Sequence, residues 1–264
     1  MGQTTLQIEN EMDRFVDYCE KLAPGFATRI QGASAAVLER LAEFANLKLP
    51  SEYSAFLRRM GATPPGSLEP FLADVHWGVE AVQEFYQAPP IPVPRDAVYL
   101  STLNVDFEMF LMLEGDDGGH PVVNFSWPVD EETGKFLGHE RLVNPVASSL
   151  FQLLYKEAFL RLRNPRLAHH VELQERLETS HKQAPNYRAV RRREFQKLAE
   201  RLGFRPVPYM ETDDLLFYDR PDASLMLYAN EVAADGVYVG AADAREMGRL
   251  RELFCDHLDL LIWE

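Results

Sequence analysis

The chain has 264 residues, 46% of them hydrophobic and 26% charged, with a formal net charge of −14. That content excludes a disordered chain, and no apolar run approaches the roughly 18 residues needed to span a membrane. The charge is unevenly placed: residues 1–160 hold 23 acidic and 11 basic side chains (−12), 161–205 hold 5 and 12 (+7), and 206–264 hold 13 and 4 (−9). Acidic surfaces repel nucleic-acid phosphates and attract basic proteins, and they also keep a protein soluble whatever it binds.

The N-terminal stretch "MGQTTLQIENEMDRF" has neither a basic n-region nor an apolar h-region, which predicts no secretory signal. Residues 6–22 place Leu6, Met12, Phe15, Val16, Cys19 and Leu22 near helical spacing, and Pro24, Gly25 and Gly32 then break the pattern. Residues 33–45 resume it with Val37, Leu38, Leu41 and Phe44. In "LPSEYSAFLRRMG", residues 49–61, Tyr53, Phe56, Leu57 and Met60 fall at i, i+3, i+4 and i+7. Pro50 suits the helix start and Gly61 the position past its end, so 50–60 is predicted as a helix with one aromatic-aliphatic face. A proline-rich break and a short apolar run around Phe71–Val75 precede a predicted helix over 78–87, which "APPIPVPRD" ends. The period then shifts towards two: "AVYLSTL", "DFEMFLML" and "PVVNFSW" read as strands, the last two joined by the turn residues "EGDDGGH" into an antiparallel hairpin. A charged loop, "PVDEETGKFLGHE", leads to a short fourth strand, after which Asn144 and Pro145 are expected to cap a long helix through about Arg163.

Residues 164–187, bounded by Pro165 and Pro185, read as a helical connector. A second unit, 188–264, then begins with a basic helix ended at Gly203, followed by strands in "RPVPYME", "DLLFYDR", "ASLMLYA" and "GVYVGA". A closing helix carries Met247, Leu250, Phe254, Leu258 and Leu261 on one side. The expectation is an α+β protein: a first domain over 1–163, a connector, and a smaller α+β unit of helix, about four strands and helix. The two cysteines, Cys19 and Cys255, sit in predicted helices at opposite ends of the chain, which argues against a disulfide framework and for a reducing cytoplasm.

The search for chemistry returns little. Neither a Walker loop nor GxGxxG occurs, no G-x-S-x-G elbow is present, and two distant cysteines make no zinc knuckle. "EGDDGGH" gathers Glu114, Asp116, Asp117 and His120, but it lacks the ligand rhythm of a calcium loop, and a hairpin turn explains the same residues. In "AHHVELQE", His169 and Glu172 at i, i+3 share a face if the segment is helical, and a solvated connector accounts for them. Asp130, Glu131 and Glu132 are consecutive acids in a glycine-containing loop, where carboxylates stay wet and keep ordinary pKa values. "YRAVRRREF" is basic, yet it lies in an acidic chain without an aromatic stacking platform, and pairing to acidic neighbours is the favoured reading. The expectation is no catalytic residue, no metal and no cofactor; an enzyme working through Asp116/His120 or His169/Glu172 is the least favoured alternative.

"VLERLAEFANLKLPSEYSAFLRRMGA" resembles the signature region of the SUKH superfamily, with Leu49, Pro50, Tyr53, Phe56 and Leu57 matching its Leu-Pro-x-x-Tyr-x-x-Phe-Leu core. Met60-Gly61 stands where the family often has Asn-Gly. "PVVNFSW" and then "VASSLFQLL" resemble the family's later strand and closing helix, through Ala147, Ser148, Ser149, Leu150 and Phe151. The resemblance spans about residues 33–155 and leaves the C-terminal unit unassigned. It implies a non-enzymatic immunity protein that binds and occludes a cognate secreted toxin, often a basic nuclease, without itself contacting nucleic acid or membrane. The same resemblance admits a regulatory scaffold that binds a cellular protein or peptide. The residues expected to meet a basic partner are the acidic ones: Glu114, Asp116, Asp117, Asp130, Glu131, Glu132, Asp213, Asp214, Asp219 and Asp222.

Overall fold

Helix spacing in the sequence is realised from the first turn onwards. In the computed structural model, which describes residues 4–64, 66–72, 75–103, 107–113, 120–127, 141–175, 187–212, 215–228 and 236–262, the chain divides into two units, Met1–Leu162 and Arg163–Glu264. Both are α+β.

The first unit opens with α1 (Thr5–Leu22), started by a capping box in which Gln7 N–H donates to Thr4 Oγ1 and Thr4 N–H donates to Gln7 Oε1. Its buried face is Ile8, Met12, Phe15, Val16, Cys19 and Leu22, whereas Leu6 points outwards. A short turn of helix, α2 (Phe26–Arg29), leads to α3 (Ala35–Ala45), capped by Ser34 and closed by Asn46 in the left-handed region. The stretch "LPSEYSAFLRRMG" forms α4 (Ser51–Met60), with Tyr53, Ala55, Phe56, Leu57 and Met60 buried. Pro50 sits at the N-cap itself, one position before the helical start expected of it. The short β1 (Val75–Trp77) and α5 (Val79–Gln87) follow, then β2 (Ala97–Leu103), β3 (Phe107–Met112), β4 (Val122–Ser126) and β5 (Leu142–Ala147). These five strands form one antiparallel sheet in chain order.

Register decides the two faces of that sheet. His76, Thr102 and Glu108 are cross-strand neighbours on one face, and Trp77, Ser101 and Met109 on the other. Helix α5 covers the first face, where Phe85 stacks on Tyr99 with ring centroids 4.0 Å apart and meets Phe110 edge-on at 5.6 Å. Helix α4 meets the second face through Phe56, 5.4 Å from the Trp77 ring. A further aromatic cluster joins α1 to its neighbours: Phe15 lies 5.9 Å from Phe71 and 5.2 Å from Tyr155.

The closing helix of this unit starts later than expected. Asn144 and Pro145 lie in β5, where Asn144 Nδ2 donates to Ser126 Oγ at 2.7 Å across the sheet. The cap is Ser149, whose Oγ accepts from Gln152 N–H while Gln152 Oε1 accepts from Ser148 N–H, and α6 runs from Leu150 to Ala158 before a π-helical turn over Phe159–Arg163. An Asn-Pro pair imitates a helix start, but here the ladder to β4 takes it.

In the second unit the expectation of a helical connector over 164–187 is corrected. Residues 169–175 form β6 (His169–Glu175), which pairs with β10 (Gly236–Ala241) on one side and β11 (Leu260–Ile262) on the other. The segment alternates with period two, Val171 and Leu173 facing the core and His170, Glu172 and Gln174 the other way. The basic helix α7 (Tyr187–Arg201) precedes β7 (Arg205–Glu211), β8 (Leu215–Arg220) and β9 (Ala223–Tyr228); α8 (Ala244–Leu258) precedes β11. The sheet therefore has six strands, in the order β11-β6-β10-β9-β8-β7, rather than about four. Phe195 of α7 and Leu250, Phe254 and Leu258 of α8 bury against Leu173, Tyr218, Leu225, Val237 and Val239. Leu261, expected on the apolar side of the last helix, lies instead in β11 and is 46% exposed.

Candidate functional site

The end of α4 creates a crossing of backbones. Ala33 N–H donates to Leu57 O, Ala62 N–H to Gln31 O, and Val79 N–H to Gly61 O, so the segment before α3, the end of α4 and the start of α5 are laced together. Thr63, buried, adds two more bonds: its Oγ1 accepts from Gln31 N–H at 2.8 Å and donates to Gln31 O at 3.2 Å. Only glycine fits at position 32, because a Cβ there would stand 1.8 Å from Arg58 O.

Around this crossing lies a groove of about 580 Å³, lined by Gly32–Ser34, Val37, Arg40, Gly61–Pro64, His76, Trp77, Val79, Glu80 and Gln83. Arg40 of α3 and Glu80 of α5 both line it, and His76, also in the lining, forms an exposed pair through Nε2 with Glu84 Oε2 at 2.9 Å. On the far side of Trp77 is a smaller apolar cavity of about 80 Å³, lined by Phe56, Leu72, Leu100, Met109, Leu150 and Leu153 among others. Trp77 thus walls both spaces; α4 contributes Phe56 to the cavity, and Gly61, just past its end, lines the groove. The lining thus combines a cationic, an acidic and an aromatic side chain with the segments 32–34 and 61–64.

On the α5 face of the same sheet runs a buried polar chain that the sequence reading did not single out. Thr102 Oγ1 donates to Glu108 Oε2 at 2.7 Å and accepts from the Tyr99 hydroxyl at 2.6 Å; Asn124 Nδ2 donates to Glu108 O at 2.9 Å. Glu108 is 7% exposed. Burial pushes the Tyr99 phenol well above its ordinary range, so it stays a donor. The first two bonds tie the β2 and β3 side chains together beneath α5, and the third reaches the Glu108 backbone from the other face, where Asn124 lies opposite Met109. The signal for them was a charged residue at an inward position of an apolar strand, Glu108 in "DFEMFLML".

The residues expected to meet a partner are only partly on view. Glu114, Asp116, Asp117, Asp130, Glu131, Glu132, Asp213 and Asp214 lie outside the described residues. Asp219 is occupied internally: its carboxylate meets Arg163 Nε at 2.7 Å, and the same guanidinium donates through Nη2 to the carbonyls of Arg220 and Pro221. Burial raises the Asp219 pKa, and the nearby Arg163 opposes that shift. Asp222 binds Arg220 Nε at 2.8 Å and keeps an exposed carboxylate. Arg220 also donates to Leu202 O and to Glu246, and it lies over the Phe204 ring at 4.5 Å. Glu246 is held at a pKa of about 2 by hydrogen bonds from Arg249 and then Arg220.

The structure places several residues of the weaker chemical candidates. His120 Nδ1 lies 3.0 Å from Met112 O beside the β3–β4 link. Because β6 is a strand, His169 and Glu172 fall on opposite faces, opposite Ala241 and Tyr238 respectively. In α7, Arg191 is buried, and Arg193 donates to Ala189 O of its own helix. Among the described residues, no group of three or more His, Cys, Asp or Glu side chains is placed to hold a metal ion, and no helix is long and apolar enough to cross a membrane. No protein-family model matches the chain, and a search of curated proteins finds no match.

Proposed function

We propose that this chain is a non-catalytic binding protein of the SUKH kind, an immunity protein that neutralises a cognate basic toxin in the cytoplasm by covering it. The observation that carries the reading is the position of α4. Led in by Leu49 and Pro50, the helix that carries Tyr53, Phe56 and Leu57 walls the apolar cavity with Phe56, and Gly61 at its C-terminal end lines the 580 Å³ groove together with Arg40 and Glu80. Around it, the order of α4, five antiparallel strands and the Ser149-capped α6 supports the same kinship. The charge of −14 favours fast capture of a basic partner, and both cysteines are free, as suits a reducing compartment.

The test is co-expression with the open reading frame immediately upstream, scored as survival of the host. Rescue from a toxic neighbour, together with a complex on a sizing column, is the expected result. Toxicity without rescue would overturn the immunity reading. A regulatory scaffold is the second reading, favoured by one feature of the second unit: β11 is an edge strand whose Leu261 and Ile262 are 46% and 47% exposed, a template for an extended peptide. Pull-down from native cells distinguishes it by recovering a cellular protein in place of a toxin.

A further inference from the structure

We propose that the face of the second sheet opposite α7 and α8 binds an arginine side chain of a partner protein, with Glu172 as the acceptor. The geometry starts from a glycine. Gly236 lies opposite Tyr228 on one side and Gln174 on the other, and a Cβ there would stand 2.2 Å from the Tyr228 ring. Tyr228 therefore lies flat across β10 and reaches β6, where its hydroxyl donates to Glu172 Oε1. Gln174 Nε2 donates to the same oxygen at 3.1 Å. Two donors hold the carboxylate by one oxygen, and among the described residues neither Lys nor Arg pairs with the other.

The surroundings complete the fit. Tyr238 is the cross-strand neighbour of Glu172, and the His170 ring stacks on it at 5.5 Å and 29°. His170 is exposed, and Glu172, Gln174, Tyr228 and Tyr238 are half-buried, so the cluster is reachable and partly dry. A preoriented carboxylate between phenol rings favours a planar guanidinium, which stacks on an aromatic face while donating to Oε2. An ammonium is more strongly hydrated and matches only one of those contacts. Covering Gly236 accounts for Tyr228 alone; it accounts neither for the half-buried carboxylate nor for the second ring. The positive charge of the partner group follows from Glu172 itself, and over residues 163–264 the 18 acidic side chains slightly outnumber the 15 basic ones. This inference lies outside the stretch that carries the resemblance, and it stands whether or not the partner is a toxin.

The experiment titrates the full chain, labelled with ¹³C in its tyrosine rings, with acetyl-Gly-Arg-Gly amide and separately with acetyl-Gly-Lys-Gly amide. Saturable shifts of the Tyr228 and Tyr238 signals are expected, with the arginine peptide binding several-fold tighter, roughly threefold or more. Glu172→Gln still accepts the Tyr228 hydroxyl, so it keeps the fold, and it weakens the arginine peptide about tenfold. Glu39→Gln removes the same charge from an exposed site on α3 and changes nothing. Tyr238→Leu, which keeps the carboxylate, abolishes the preference for arginine over lysine. Shifts that never saturate, or that weaken equally in Glu39→Gln, would reduce the effect to diffuse attraction and overturn the proposal. Equal binding of the two peptides would overturn it as well.

Discussion

Two neighbouring residues of α4 illustrate how differently buried aromatics act. Phe56 is 3% exposed and packs 6.2 Å from Tyr53 and 5.4 Å from Trp77, at the wall of an apolar cavity already about 80 Å³ in volume. Removing its ring enlarges a space that its neighbours do not fill. Phe56→Ala is therefore expected to cost about 3–5 kcal/mol in chemical denaturation; an unchanged midpoint would contradict the packing of α4. Tyr53 is fully buried, and its hydroxyl finds no hydrogen-bond partner among the described residues. Burial keeps its phenol protonated far above the ordinary range. Tyr53→Phe deletes that lone hydroxyl while keeping the ring, so it is expected to be neutral or stabilising by about 1 kcal/mol. A loss of that size in the same denaturation series would mean that the hydroxyl is bonded. The aromatic spacing in "LPSEYSAFLRRMG" reveals a helix; the burial that leaves the Tyr53 hydroxyl near Tyr86 and Tyr99, more than thirty positions away, is a tertiary fact.

At the level of elements, ionisable groups decide how firmly a helix or a turn is held. Glu52, in the first turn of α4, has its pKa pushed up to about 7 by burial. Between the unfolded carboxyl value near 4.5 and 7, the folded chain binds more protons at this site than the unfolded chain. Stability contributed by this group therefore falls as pH rises through that window, and above it the full cost of a desolvated carboxylate remains. Glu52→Gln is expected to raise the melting temperature at pH 8 by about 2–4 °C and to have little effect at pH 4.5. In the second unit, Arg163 holds the β8–β9 turn by its bonds to Asp219 and to the carbonyls of Arg220 and Pro221. With its side chain only 8% exposed, Arg163 cannot turn to water when its partner is lost. Asp219→Asn is expected to cost about 2–4 kcal/mol in urea denaturation. Asp219 read on the sequence as a surface acid; its burial beside an arginine 56 positions earlier is a long-range fact.

Over the whole molecule, the uneven charge makes a kinetic prediction. If a basic partner is captured by the acidic surface, its association rate in stopped-flow mixing is expected to fall at least about tenfold between 50 mM and 500 mM salt, with a smaller change in dissociation. A salt-independent association rate would remove charge steering from the proposed function. Local chemistry made much of the fold legible. Helix spacing marked α1, α3, α4 and α8, proline and glycine stops bounded α5 and α7, period two marked β2 to β4 and turn residues set off β7 to β10, because each signal lies within or beside a single element. Three features were settled elsewhere. The strand β6 hid in a polar stretch because its partners, β10 and β11, lie more than sixty residues further on. The Asn144-Pro145 pair was taken by a ladder to β4 before it could start a helix. The groove joins segments near residues 32, 62 and 78, none of which carries a signature alone. Periodicity and capping act between near neighbours and can be read along the chain, whereas pairing between distant strands, backbone crossings and the burial of a carboxylate depend on which remote segments meet.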